Sequence, residues 1–202
     1  MALPAEVDAS REGGRRMNQR GMGKMIYHGE TPITEIILHT SATRPEWMAG
    51  RHLAEKVAEI RRWHQGNGWR DIGYHYIIDR DGKFASGRAE NEVGAHVRGK
   101  NIGTIGICLL GGFGGSADDD FTDHYTPEQR ATAWKLIRSI SQRTDIRRVS
   151  GHNQYAAKAC PCFRAASEFP WPPAFEDTKT PVRGFWAALW GFLKQLIGRF
   201  RK

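Results

Sequence analysis

Along the chain, short apolar runs alternate with polar, glycine-rich breaks, and the periods of those runs predict strands and helices in turn. Residues 33–39 (ITEIILH) carry the run Ile36-Ile37-Leu38, the pattern of a buried strand. That strand delivers His39 to its C-terminal end, before the small polar turn Thr40-Ser41-Ala42-Thr43. Residues 52–65 place Leu53, Val57, Ile60 and His64 at helical spacing, and Gly66 is placed to stop the helix. Residues 73–79 (GYHYIID) are aromatic and β-branched and predict a strand. Asp81-Gly82 then signals a hairpin turn, with 84–87 as the returning strand. Residues 102–110 (IGTIGICLL) predict a central strand, and 111–120 a Gly- and Asp-rich loop. A helix over 126–143 has an explicit start. Thr126 can cap, Pro127 suits the first helical position and Gln129 completes a capping box. Ala133, Leu136, Ile137 and Ile140 form its apolar stripe. Residues 147–150 (RRVS) predict a short strand leading to Gly151-His152. The whole order predicts an α/β domain, a central mixed β-sheet flanked by helices.

The two ends break this pattern. Residues 1–24 have no periodicity and predict a flexible tail, which leaves 25–169 as the folded domain. Residues 170–182 hold four prolines and predict a linker. Residues 183–202 (RGFWAALWGFLKQLIGRFRK) predict an additional amphipathic helix. On a helical wheel Trp186, Trp190, Phe192 and their apolar neighbours fall within an arc of about 160°, with Lys194, Arg199, Arg201 and Lys202 on the other side. Aromatic residues opposite cations describe a helix lying in a membrane interface. Lys194 and Gln195 interrupt it as a transmembrane span. An anionic membrane or lipopolysaccharide is the expected partner; docking on the core or on a second copy is the alternative.

Charge sharpens this division. The formal net charge is +8, but residues 25–182 hold 20 Lys/Arg against 19 Asp/Glu, while 183–202 hold 5 against none. A nearly neutral body lacks the basic face that nucleic acid demands, so no nucleic-acid partner is expected. A chain of 202 residues suits one domain, expected to be a monomer. Residues 1–24 contain no apolar core segment of a secretory signal, so host cytoplasm is the expected location before release to the cell wall. Cys108, Cys160 and Cys162 are too few for a disulfide framework, and reduced thiols are free to act as ligands.

Candidate chemistry concentrates in residues 151–161 (GHNQYAAKACP). His152 and Cys160 are preferred zinc donors, eight residues apart, a spacing that needs a loop to fold both back to one point. His39 at a strand end could complete a three-ligand site. Singly, these are weak signals: most histidines are surface or core residues, and a lone cysteine is usually a small buried hydrophobe. Cys162 reads as a bystander thiol, His75, His64 and Trp63 as structural, and His28, His52 and His124 as exposed. Asp118–Asp120 reads as a solvated loop, because it lacks the spacing of a calcium loop.

Taken together, LHTSATRP (38–45), RRWHQGNGW (61–69), DIGYHYIIDRDG (71–82), GRAENEVGAHVRG (87–99), IGTIGICLLGG (102–112) and HNQYAAKACPCF (152–163) occur in one order. In this the chain resembles the N-acetylmuramoyl-L-alanine amidase type 2 family, and within it the single-domain phage lysozymes. The resemblance spans about residues 33–170. It implies a zinc (Zn2+) enzyme that cleaves the amide between N-acetylmuramic acid and L-alanine in peptidoglycan, as a phage or prophage endolysin. It implies His39, His152 and Cys160 as metal ligands, Tyr74 beside the zinc-bound water, and Lys158 against the developing oxyanion. His96 resembles a cleft-lining position; it and Thr40 are expected substrate contacts, with a structural role for His96 as the alternative. Thr40 departs from the phage pattern, which has Cys there. Two other functions remain open: a non-catalytic peptidoglycan-binding module, and a membrane-active C-terminal helix as the main lytic agent. The presence of Cys160, Tyr74 and Lys158 together favours the enzyme.

Overall fold

The computed structural model describes residues 25–172. The predicted tail 1–24 and the amphipathic helix 183–202, including Trp186, Trp190, Phe192, Lys194, Arg199, Arg201 and Lys202, lie outside the described residues.

The chain opens with a two-stranded antiparallel hairpin, β1 (Tyr27–His28) and β2 (Thr31–Pro32). Then follow β3 (Glu35–Thr40), α1 (Leu53–Gly66), β4 (Tyr76–Ile78), β5 (Phe84–Ser86) and β6 (Thr104–Leu109). The last elements are α2 (Phe121–His124), α3 (Pro127–Ser141), β7 (Arg148–Gly151), a single 3-10 turn at His152–Gln154, and α4 (Ala165–Glu168). Five strands form one mixed sheet in the order β5-β4-β6-β3-β7. Within this sheet, only the β4–β5 hairpin pairs antiparallel; the other described pairings are parallel. The expected mixed α/β sheet is present.

Alternation along the central strands explains the layering. Ile36 and Leu38 of β3, Ile105, Ile107 and Leu109 of β6 and Ile78 of β4 join the α3 stripe Ala133, Leu136, Ile137 and Ile140 in one core. On the opposite face Ile77 of β4 and Cys108 of β6 pack with Val57 and Ile60 of α1. Burying each such branched side chain stabilises the fold by roughly 1.5–3 kcal/mol, so β3 and β6 are held firmly at the centre of the domain. Register pairs His39 with Cys108 and Leu38 with both Ile107 and Gly151. Because β3, β6 and β7 run parallel, their C-terminal ends meet at one edge, where ligands of open α/β sheets gather. His39 ends one strand there, and His152 follows another.

Several elements differ from the sequence reading. The strand expected over 73–79 is regular only at Tyr76–Ile78. Upstream, Gly73 N–H donates to His64 Nδ1 at 3.0 Å, and the carbonyls of Gly73, Tyr74 and His75 accept from Ala95, Arg88 and Gly87. These bonds replace a ladder and hold Tyr74 on an irregular extended segment. The β1–β2 hairpin, α2 and α4 carry too few residues for periodicity to signal them. Helix α3 begins as expected: Thr126 Oγ1 accepts from Gln129 N–H, and Gln129 Oε1 accepts from Thr126 N–H. Of the predicted linker 170–182, residues 173–182 lie outside the described residues; Trp171 at its start donates its indole N–H to Ile146 O at 2.7 Å.

Candidate metal centre

Three side chains from two segments converge past the sheet edge. The donor atoms of His39, His152 and Cys160 all lie within 4.8 Å of one another. His39 Nδ1 is 3.7 Å from Cys160 Sγ, and the His39 and His152 rings are 4.9 Å apart. A tetrahedral zinc with ordinary Zn–N and Zn–S bonds sets an imidazole nitrogen and a thiolate sulfur about 3.6 Å apart, so this pair fits. Two imidazoles and one thiol are also the donor chemistry of a borderline-soft ion, and three ligands leave a fourth position open.

His39 is positioned by a central strand and is 1 % exposed. The loop pair is positioned by long-range bonds. Asn153 N–H donates to Cys160 O at 2.6 Å, closing the loop on itself. Asn153 Nδ2 reaches Ala117 O and Phe163 O, each at 3.3 Å, and Tyr125 O–H donates to Pro161 O at 2.8 Å. Gly151 permits the return: a Cβ there would sit 2.7 Å from Pro161 Cδ. Thr40 N–H donates to Cys160 Sγ at 3.3 Å and joins the two segments.

Electrostatics suit ligation by neutral imidazoles. Burial first, then the neighbouring His96, His152 and His75 and the Lys158 cation, hold His39 well below the usual histidine range. Burial and then Lys158 lower His152. Both rings are therefore neutral at pH 7. Burial pushes the Cys160 thiol up to about 12, opposed by the Thr40 N–H and by Lys158. A bound cation is what would stabilise the thiolate here.

Tyr74 lies beside this trio, its ring 5.2 Å from that of His39. Burial, and then the Cys108 and Cys160 thiols, push its phenol well above the ordinary value, so it keeps its proton at neutral pH. Lys158 is exposed, and its charge is felt at both His39 and His152.

His96 and Thr40, expected to touch substrate, are committed inward. His96 is 6 % exposed and its Nδ1 is 3.1 Å from His39 Nε2. Thr40 is 8 % exposed and its hydroxyl donates to Gly111 O. His28, read as exposed, is buried and bonded to Gly103 N–H and Glu90 O. His124, also read as exposed, is half-buried against Asp119. His52 is exposed as read, and His75 and His64 have structural partners. Asp118 pairs with Arg164 and Asp119 with His124, within the acidic run read as a solvated loop. Cys162 is buried against Gly112 O. Asn153 and Tyr125 carry no signal in the sequence, because no local pattern marks residues whose partners lie 36 positions away.

Known proteins carry the same organisation. The profile of the N-acetylmuramoyl-L-alanine amidase family matches residues 29–163. An endolysin of Escherichia phage T7 is 39% identical over 144 residues, covering 70% of this chain and 89% of the relative. An endolysin of Enterobacteria phage T3 is 38% identical with the same coverage. Among solved structures, N-acetylmuramoyl-L-alanine amidase LysC from Clostridium intestinale superposes with a TM-score of 0.54 at 26% identity, covering 67% of this chain and 81% of that one. With its fold, its converging ligands and this breadth of match, the chain belongs to the N-acetylmuramoyl-L-alanine amidase family.

Proposed function

We propose that this chain is a zinc-dependent N-acetylmuramoyl-L-alanine amidase that cleaves the amide joining the lactyl group of N-acetylmuramic acid to L-alanine in peptidoglycan, acting as an endolysin. The observation that carries the reading is the convergence of His39, His152 and Cys160 beside Tyr74, within a chain similar to phage endolysins over most of their length.

Zinc held by these three residues would supply Lewis acidity, polarising a carbonyl and acidifying a water near neutral pH. The protein supplies the rest. Neutral His39 and His152 offer lone pairs without first losing a proton. Tyr74, fixed and protonated, can donate a hydrogen bond to the scissile carbonyl oxygen as negative charge develops on it. Lys158 can bring its ammonium to the negative charge that develops on that oxygen, and the proton lost by the attacking water is the one the leaving amine takes up. No nucleophilic side chain and no covalent intermediate are required. The combination of Cys160, Tyr74 and Lys158 favours this reading over a non-catalytic binding module.

Mass spectrometry of digested sacculi tests the reaction. The expected products are free stem peptides beginning at L-alanine, formed only when chelator is absent. New reducing disaccharide ends would overturn it.

For residues 183–202 the proposed role is envelope targeting, supported by five cations, no acid and the aromatic arc. Deleting 183–202 is expected to abolish binding to anionic vesicles while hydrolysis of isolated peptidoglycan persists. Unchanged vesicle binding would refute the targeting role. Continued lysis by a Cys160→Ala chain would instead make the helix the lytic agent.

A further inference from the structure

Four imidazoles form a line from His39 at the metal centre back to the β1–β2 hairpin. His39 Nε2 is 3.1 Å from His96 Nδ1; the His96 and His75 rings are 5.6 Å apart, and those of His75 and His28 are stacked at 5.8 Å. The backbone fixes the protons of the two distal rings. His28 Nδ1 accepts from Gly103 N–H at 3.0 Å, so its Nε2 carries the proton and donates to Glu90 O. His75 Nδ1 accepts from Gly106 N–H at 2.9 Å, so its Nε2 donates to Glu92 O.

The neighbours of His96 fix its proton in the same way. Its Nε2 is 3.4 Å from Thr104 Oγ1. The single proton of the Thr104 hydroxyl is directed at Lys100 O, 2.6 Å away, with Asn101 O at 3.2 Å. The Thr104 oxygen therefore faces His96 as an acceptor, which places the His96 proton on Nε2 and leaves Nδ1 bare. A bare Nδ1 can only accept, so His39 must donate from Nε2. His39 Nδ1 is then left with a free lone pair, and it is the nitrogen that faces Cys160 Sγ.

The orientation of His96 is built in from several sides. A Cβ on Gly106 would lie 2.6 Å from His96 Cγ, and one on Gly94 2.5 Å from His96 Cδ2, so two glycines open the slot that the ring fills. Asn101 Oδ1 accepts the backbone N–H of both His96 and Val97 at 2.8 Å. Arg88 anchors the same loop through the carbonyls of Ile72 and Val93.

We propose that His96 is a positioning residue that holds His39 in its Nε2–H tautomer, and so presents His39 Nδ1 to the metal. This rests on the zinc-site reading above. Partners of this kind orient a metal-bound imidazole and raise its basicity, and their loss commonly weakens metal binding 10–100-fold.

The test uses the full chain and zinc alone. Zinc dissociation constants are measured by chelator competition for the wild type, His96→Phe and His96→Asn, with thermal unfolding as a check on folding. Phenylalanine fills the slot without an acceptor, whereas the Asn carbonyl oxygen can stand in for Nδ1. The expected result is zinc binding about 10–100-fold weaker in His96→Phe, with most of the loss recovered in His96→Asn. In parallel, 15N-histidine spectra of the zinc-loaded wild type should show His96 protonated at Nε2, and His39 protonated at Nε2 with Nδ1 metal-bound. Zinc affinity indifferent to His96→Phe, an Asn variant as weak as Phe, or a His96 proton on Nδ1 would each overturn the positioning role alone. A wild-type chain that binds no zinc would overturn the metal-site reading itself.

Discussion

The two segments that carry the proposed metal ligands are held in different ways. His39 stands on β3, a strand buried on both faces between β6 and β7, and its place follows from the register of the sheet. His152 and Cys160 stand on a loop that follows β7 and owes its shape to single bonds from Asn153, Tyr125 and Thr40. The strand ligand is rigid because the core is rigid; breaking it means opening the domain. The loop ligands can lose their geometry while the sheet stays intact. Sites of this design take one coordinate from the scaffold and the rest from a conformable segment.

Removing a loop ligand should separate site from scaffold most sharply. Cys160→Ala is expected to bring zinc-dependent peptide release to background while the unfolding free energy of the zinc-free protein changes by no more than about 1 kcal/mol. Zinc analysis, turbidity of peptidoglycan suspensions and urea unfolding in chelator would check this. A large loss of zinc-free stability would mean that the loop supports the sheet. The reverse experiment is Leu38→Ala, one residue before the strand ligand and packed in the α3 core. It should cost about 2–5 kcal/mol of stability by urea unfolding, with zinc affinity of the surviving folded fraction nearly unchanged.

Acid should act on the scaffold side through the buried histidines. Burial lowers His75 to about 4, whereas an unfolded chain titrates near 6.5. Between those values the unfolded chain binds more protons. Stability is therefore fully present above about pH 6.5 and is lost as pH falls toward 4, with a contribution from His75 of about 3 kcal/mol. Urea midpoints in chelator across pH 4 to 7 would measure it, and a flat profile would contradict the buried, neutral ring. The smallest effect is expected from Asn153→Ala, which removes both side-chain bonds from the loop staple. A loss of about 1–2 kcal/mol, read as roughly tenfold weaker zinc binding with little change in urea midpoint, would place the cost on the loop.

The same contrast explains what could be read from the sequence. Strands β3 and β6 announce themselves through Ile36-Ile37-Leu38 and the run ending Ile107-Cys108-Leu109, and α3 through its capping box and stripe. Local pattern dictated those elements, so local pattern revealed them. His152 and Cys160 could be named as donors, but no spacing rule says that a loop will fold back to His39. That return depends on Gly151 passing close to Pro161 and on Asn153 reaching Ala117 and Phe163. His28 was misread as exposed for a related reason: its partners Glu90 and Gly103 lie 62 and 75 residues away. The bond from His96 to His39 spans 57 positions and is equally silent in a linear reading.

A single zinc, gripped jointly by strand and loop, is proposed to drive amide hydrolysis. Zinc should be titrated into the chelator-stripped full-length protein, with bound metal and release of L-alanine-terminated peptide measured in the same samples. The rate should rise in proportion to bound zinc and saturate at one ion per chain, while Cys160→Ala stays flat throughout. Full activity in the stripped protein, or a Cys160→Ala chain that matches the wild type, would contradict it.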